Sequence, residues 1–176
     1  SLGGNSQNAS WLWNFGGGNT STLQNPSYTF PSWGAFPVSL SVTDNGCATT
    51  VTQNVSIQPN PVVSISASAI CQGTPTSFTN ASYLPGGTIT NWAWDFNGDG
   101  VTDNTNQSPV YTFPNAGSIP VSLTATSNNG CVSTGTLIVT VYGLPASQFV
   151  TQNNCLAVQS TFTNNSTAPL GTSITQ

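Results

Sequence analysis

The sequence contains no Lys, Arg or His among its 176 residues, and four acidic residues give it a formal charge of −4. Without cationic side chains it has no means of neutralising phosphates, so nucleic-acid binding and attraction to anionic lipid have no electrostatic basis. The lack of His and Lys also removes the usual base of a catalytic triad and the amine of Schiff-base chemistry. We therefore expect a protein that is not an enzyme and does not bind nucleic acid.

Long apolar runs are missing as well. No stretch of 18 or more apolar residues occurs, which predicts no membrane insertion. A hydrophobic content of 36% with regularly spaced Val, Ile, Phe and Trp nevertheless indicates a folded chain.

The chain contains two related copies of one unit and part of a third. "WLWNF" at 11–15 matches "WAWDF" at 92–96, and residues 25–47 match residues 108–131. The period is 81 residues from Trp13 to Trp94 and 84 from Cys47 to Cys131. Residues 69–82 also match residues 153–166. We predict a partial domain at 1–59 that lacks its first two strands, A and B, a complete domain at 60–143, and strands A and B of a third at 144–176. The array is expected to continue in both directions.

Within each copy the apolar residues alternate with polar ones. Ile119, Val121 and Leu123 lie on one face of a predicted strand, and no segment shows a convincing helical period. The complete copy contains about six or seven short strands, which is typical of an immunoglobulin-like sandwich. The predicted fold class is all-β, in the form of tandem immunoglobulin-like β-sandwiches.

Three motifs together identify a resemblance to a known family. "WAWDFNGDG", "SPVYTF" and "IPVSLTATSNNG" resemble the strands and turns of the polycystic-kidney-disease (PKD) domain, and the first copy resembles it more loosely, with "WNFGGG". The "NGC" and "C.G" positions are similar to PKD repeats in large surface proteins of gliding bacteria. This resemblance implies an extracellular, non-catalytic segment of an adhesin or structural fibre, with neighbouring repeats as partners. The alternative is a carbohydrate-binding accessory module of a secreted hydrolase.

Three of the four acidic residues lie in one loop after predicted strand C. Asp95, Asn97, Asp99 and Asp103, with the carbonyl of Val101, have the spacing of a calcium loop, but Asn106 stands where such a loop needs its last acidic residue. Calcium is therefore a candidate cofactor. The alternative is that these residues only shape the turn through bonds to their own backbone. A catalytic pair is disfavoured because the acids share one short loop.

The aromatic residues of the predicted strand C, among them Trp94, are expected to fill the core of the sandwich. Trp33 differs from them, because Ala116 occupies its position in the second copy. The fold does not require an aromatic ring there, so Trp33 is a candidate contact for surface glycans, or else it covers its own loop.

The four cysteines, Cys47, Cys71, Cys131 and Cys155, recur at 84-residue spacing and suit an oxidising, extracellular compartment. In a seven-stranded sandwich Cys71 and Cys131 belong to opposite poles, separated by about 30 Å, which exceeds the Cα separation of about 6 Å in a disulfide. We therefore predict disulfides between neighbouring domains of an array rather than within one domain. Metal binding by the cysteines is disfavoured, because the chain has no CxxC motif and no His.

Overall fold

The computed structural model describes residues 9–152, 155–169 and 173. These residues form strands, turns and loops without any helix, which confirms the all-β prediction. No helix in this part of the chain is therefore long and apolar enough to cross a membrane. The chain divides into two compact units, Ser1–Asn60 and Pro61–Gln176.

The first unit contains one antiparallel sheet in the order β2-β1-β3-β4. Its strands are β1 (Ser10–Gly16), β2 (Asn19–Ser21), β3 (Gly34–Asp44) and β4 (Cys47–Ile57). Asn45 and Gly46 join β3 to β4 with φ values of 49° and 82°. A two-residue turn of type I′ needs positive φ at both positions, which explains the Asn-Gly pair and fixes the register of the two long strands.

The second unit holds a sheet of four strands in the order β6-β12-β11-β9, packed against two short strand pairs, β10-β7 and β5-β8. The bounds of its strands are β5 (Ile65–Ser66), β6 (Ile70–Cys71), β7 (Pro75–Ser77), β8 (Thr79–Asn80), β9 (Ile89–Asp95), β10 (Val110–Thr112), β11 (Gly117–Ser127) and β12 (Val132–Tyr142). This is a sandwich of the immunoglobulin-like kind, with its apolar residues between the two layers.

The core of the sandwich is aromatic at its centre. Trp94 is completely buried, and its indole Nε1 donates a hydrogen bond to the carbonyl of Asn106 at 3.0 Å. The ring of Phe78 lies 5.3 Å from Trp94 and 5.0 Å from Phe96 between centroids. Val121, Leu123, Val139 and Val141 complete the cluster. The prediction that strand C supplies core aromatics is confirmed for Trp94 and Phe96.

One strand prediction needs correction. Alternation of side chains predicts a single first strand, strand A, near Val62–Ser68 of the complete domain, whereas the structure has two short strands, β5 within that range and β6 just after it. β5 pairs with β8, and β6 then pairs in parallel with the end of β12, next to Tyr142. The strand is interrupted because the chain passes from one sheet to the other, a crossing that alternation of side chains does not reveal.

A further antiparallel strand pair follows the sandwich, β13 (Phe149–Thr151) with β14 (Phe162–Asn164). It repeats the pairing of β5 with β8 in the same unit, because Phe149 faces Asn164 as Ile65 faces Asn80. Most of its described side chains are exposed.

Candidate functional site

The acidic loop begins at Asp95, the last residue of β9. Its Oδ1 accepts hydrogen bonds from the amides of Asn97 (3.1 Å) and Gly98 (2.6 Å), and its Oδ2 accepts one from Gly100 (2.9 Å). Gly98 and Gly100 have φ values of 76° and 81°, a region that favours glycine. The two glycines thus allow the chain to curl around the carboxylate.

The other two carboxylates of the loop also bind backbone or amide donors. Asp99 Oδ1 accepts from the amide of Val101 at 2.7 Å, and its Oδ2 accepts from the side chain of Asn97 at 3.0 Å. Asp103 Oδ2 accepts from the amide of Phe96 at 2.7 Å, which ties the far end of the loop to the core strand. Asp103 and Asn104 also bond to the backbone of Trp94.

The electrostatics of Asp95 follow from these bonds. Desolvation acts to raise the pKa of its carboxyl group, but the amides of Gly100, Gly98 and their neighbours outweigh it and lower the pKa below the ordinary value. Backbone N–H groups therefore stabilise the carboxylate in its charged form.

This geometry fits turn formation. Asp95, Asp99 and Asp103 share one loop, but within the described residues no three acidic, Cys or His side chains converge as metal ligands. The side-chain NH2 group of Asn97 donates a hydrogen bond to the Asp99 carboxylate, and its Oδ1 accepts one from the backbone amide of Asp99. The donor and the acceptor of the Asn97 side chain are thus both used within the loop. Calcium binding by this set, including Val101, stays a prediction.

The first unit shows how an uncharged residue performs the same task. Asn14 holds the position that corresponds to Asp95, and its Oδ1 accepts one hydrogen bond, from the amide of Gly16 at 2.9 Å. One hydrogen bond from a backbone amide to the side-chain oxygen of Asn14 thus suffices for the glycine-rich turn, whereas Asp95 accepts three. The charged side chain of Asp95 thus binds more backbone amides than the neutral side chain of Asn14 does.

Trp33 lies in the loop before β3 and is 60% exposed. It lines a shallow depression of the first unit together with Phe30, Pro31 and Pro59. The indole is thus exposed at the surface of the first unit. Both interpretations of Trp33, a contact for glycans and a cover over its own loop, stay predictions.

The four cysteines are unbridged; Cys47, Cys71 and Cys155 are exposed and Cys131 is half-buried. Cys71 is aligned with Tyr142 at one end of β12, and Cys131 directly precedes the other end of that strand. The 11 residues of this strand separate the two, a distance of about 36 Å at about 3.3 Å per residue. This separation disfavours a disulfide between them within one sandwich, and the disulfides between neighbouring domains stay a prediction.

One feature was not predicted from the sequence. Val63 packs so closely on Gly135 of β12 that a Cβ at Gly135 would lie 2.7 Å from Val63 Cγ1. In the first copy the residue at this position is Val51. The difference between Val51 and Gly135 can be seen in the sequence. Its structural reason, the packing of Val63 on Gly135, requires knowledge of which segment contacts β12.

The second unit is an immunoglobulin-like sandwich module that carries an Asp-containing turn after the core Trp strand, and the first unit repeats its four-stranded sheet with Asn14 in place of Asp95. The sequence profile of the PKD domain matches residues 1–59 and 58–141. The chain therefore belongs to the PKD domain family.

Similar proteins and domains occur in Vibrio. The pre-pro-metalloprotease PrtV of two strains of Vibrio cholerae serotype O1 is 30% identical over 132 residues. This match covers 74% of the present chain and 14% of the length of PrtV. Among solved structures, the PKD1 domain of Vibrio anguillarum Epp is 30% identical, with a TM-score of 0.42 over 48% of this chain and 95% of that domain. The PKD1 domain of PrtV is also 30% identical, with a TM-score of 0.41 over 47% and 96% of the two chains.

Proposed function

We propose that the chain is a non-catalytic repeat segment of a secreted, filamentous cell-surface protein, an adhesin or a structural fibre. The observation that carries this proposal is the repetition of structure as well as sequence. The bridge between Val62 and Tyr83 recurs between Ala146 and Thr167. A unit that recurs together with its hydrogen bonds suits an array in which each sandwich adds length.

The dimensions of the second unit support a spacer role. β11 and β12 each contain 11 residues, so the sandwich extends about 36 Å along its strands at about 3.3 Å per residue. Cys71 and Cys131 lie at its two ends, where neighbouring repeats of an array would meet. Disulfides between repeats would stiffen such a fibre, and an oxidising location outside the cell would permit them.

Non-reducing peptide mapping of a longer, native array tests this function. Cys71 and Cys131 are each expected in a disulfide with a cysteine of a neighbouring repeat. Reduction should increase the bending of the array, measured by small-angle X-ray scattering. The proposal is contradicted if Cys71 is joined to Cys131, or if both stay as thiols in protein taken from the cell surface.

Exposed Trp33 favours a second function, the binding of surface glycans. An indole at 60% exposure beside two prolines offers a flat apolar face on which a sugar ring can stack. Binding to a glycan array should be lost in Trp33→Ala and retained in Leu23→Ala, which removes another exposed apolar side chain of the same unit. Equal binding by both variants and the parent chain would argue against a role for Trp33.

A further inference from the structure

We propose that Asn45, in the turn between β3 and β4, is a site of spontaneous covalent modification by deamidation. This reaction is fastest where Gly follows Asn, because Gly has no side chain to hinder the attack of its own nitrogen. The sequence holds three such pairs, Asn45–Gly46, Asn97–Gly98 and Asn129–Gly130. The structure restrains the second and third pairs and leaves the first unrestrained. The inference goes beyond the proposed function and does not depend on it.

The reaction needs only water. The backbone nitrogen of Gly46 loses its proton to hydroxide and attacks Cγ of Asn45, which forms a C–N bond and closes a succinimide ring. The bond from Cγ to Nδ2 breaks, and this nitrogen takes up a proton from water and leaves as ammonia. A water molecule then opens the ring at one of its two carbonyl carbons and gives aspartate or isoaspartate. Each event lowers the formal charge of −4 by one unit.

The nitrogen of Gly46 is free to act as the nucleophile. Asn45 and Gly46 lie just beyond the pairing of Asp44 with Cys47, and both turn residues are exposed. Within the part of the chain that the structure describes, the Gly46 N–H donates no hydrogen bond. The peptide group between Asn45 and Gly46 can therefore rotate toward the Asn45 side chain without loss of a bond from this N–H.

The surroundings of the turn also permit ring closure. No atom lies within 4 Å of the place that a Cβ at Gly46 would occupy, so the turn has open space around it. Asn45 has a φ of 49°, in the left-handed region that an Asn occupies at some cost. The backbone can thus leave the turn geometry locally, and the local opening of an exposed turn costs little.

The Asn97–Gly98 pair has the same residues but is restrained on both sides of the reaction. The Gly98 amide donates to Asp95 Oδ1 at 2.6 Å, a charge-assisted bond that attack would have to break. The Asn97 side chain is bonded to Asp99 through both its NH2 group and its Oδ1, each at 3.0 Å. A carboxylate is too weak a base to remove an amide proton, so Asp95 holds this proton in place. We expect deamidation here to be slower than at Asn45 on the order of 10- to 100-fold.

The turn of the second unit that corresponds to Asn45–Gly46 is longer and is closed by hydrogen bonds. The Gly130 amide donates to the Ser127 carbonyl at 3.0 Å, and the Cys131 amide donates to Ser127 Oγ at 3.0 Å. These bonds are between neutral groups, so we expect Asn129 to react roughly 2- to 10-fold more slowly than Asn45. The two copies therefore differ in reactivity although both turns contain the letters "NGC".

Modification of Asn45 would disturb the β3–β4 hairpin in two ways. Isoaspartate carries the main chain through its Cβ, which lengthens a two-residue turn whose geometry fixes the register of both strands. Either product also places a second carboxylate beside Asp44, whose buried Oδ1 has no hydrogen-bond partner in the described structure. Like charges at this distance repel each other. The first unit is thus expected to lose stability as Asn45 reacts, while the second unit keeps its turn.

Incubation of the full chain at mildly alkaline pH, followed by mass spectrometry of chymotryptic peptides, tests the proposal. Enzymatic methylation of isoaspartate provides a second readout. We expect Asn45 to be modified first, on the order of 10- to 100-fold faster than Asn97. Its rate should rise with pH, because hydroxide removes the proton of the attacking nitrogen. A rate at Asn45 equal to or below that at Asn97 would overturn the proposal.

The same measurement in concentrated denaturant separates the effect of the fold from that of the neighbouring residues. In the unfolded chain the three Asn-Gly pairs should react at similar rates, because none of the hydrogen bonds at Gly98 or Gly130 persists. An order of rates in denaturant that matches the order in the folded chain would show that the fold does not determine it, and would overturn the proposal.

Asp95→Ala tests the protection of Asn97 directly. It removes the acceptor of the Gly98 amide and should speed deamidation at Asn97 on the order of 10-fold, while Asn45 reacts as in the parent chain. Asn129 is the control for folding, because it would also react faster if the second unit unfolded. In that case Asp99→Ala, which removes the partner of the Asn97 side chain, replaces Asp95→Ala in the test. An unchanged rate at Asn97 in a folded variant would overturn the assigned protection.

Discussion

The most informative single change in the acidic loop is Asp95→Asn. An asparagine oxygen can replace Oδ1 and keep the amides of Asn97 and Gly98, as Asn14 holds the amide of Gly16 in the first unit. Its NH2 group, however, would point at the amide of Gly100, which now donates to Oδ2 at 2.9 Å. The substitution therefore removes one charge-assisted bond and places two donors against each other.

The size of the effect follows from comparable side chains that hold backbone amides. Losing such a side chain costs about 0.5–2 kcal/mol, and the loop is open to water, which can hydrate the freed amide. We expect a loss of about 1 kcal/mol for Asp95→Asn and a larger loss for Asp95→Ala, which removes all three bonds. In a domain of this size, 1 kcal/mol lowers the melting temperature by about 4–8 °C.

Scanning calorimetry in EDTA measures the loss, and hydrogen exchange of residues 96–101 locates it. The same scans with added calcium decide between the two interpretations of the loop. If Asp95 is a turn former, Asp95→Asn lowers stability equally with and without calcium. If calcium stabilises the parent chain, and Asp95→Asn is less stable than the parent chain only when calcium is present, the loop is a calcium site and the turn-former interpretation of Asp95 is wrong.

Three further predictions follow from the same structure. The free energy of unfolding should decrease at pH values below 3.8, the ordinary pKa of Asp, as the pH falls through the lowered pKa of Asp95 in the folded state. The reason is that a lowered pKa stabilises the folded state only while the carboxyl group is charged. In acid titration Asp95→Ala should therefore lose less stability than the parent chain. Phe78→Ala should cost about 3–5 kcal/mol in chemical denaturation, whereas Phe162→Ala should cost less than about 0.5 kcal/mol, because Phe78 is 2% and Phe162 69% exposed. Equal losses would contradict this difference in burial. Gly135→Val should lower the free energy of unfolding by about 1–3 kcal/mol, because its side chain would clash with Val63. Adding Val63→Ser should restore part of this stability, and a double variant as unstable as Gly135→Val would show that Val63 is not the cause of the clash.

Repetition made much of the fold accessible from the sequence. The alternation of Ile119, Val121 and Leu123 predicts β11, and all three share the buried or half-buried face of that strand. The repeated Trp predicts the core, where Trp94 is completely buried. These inferences succeed because side-chain alternation and burial are local properties of a strand.

The parts that could not be predicted depend on contacts distant in sequence. The parallel pairing of β6 with the end of β12 joins Cys71 to Tyr142, and nothing near Cys71 signals it. The role of the acidic loop was ambiguous for a different reason, since a calcium loop and a turn use the same residue types at the same spacing. Only the distances from Asp95 to the amides of Gly98 and Gly100 distinguish which donors the carboxylate meets.

The contact of Val63 with Gly135 shows how related repeats can differ in which strand fits which sheet. If all copies had identical faces, a strand could pack on any sheet of the array, and misassembly between neighbouring units would compete with correct packing. In the first unit Val51 stands in place of Gly135, so the segment that carries Val63 would meet a valine on that sheet instead of a glycine. Two large side chains at one facing position make that packing costly. Gly135 therefore favours the packing of Val63 on the sheet of its own unit over packing on the first-unit sheet.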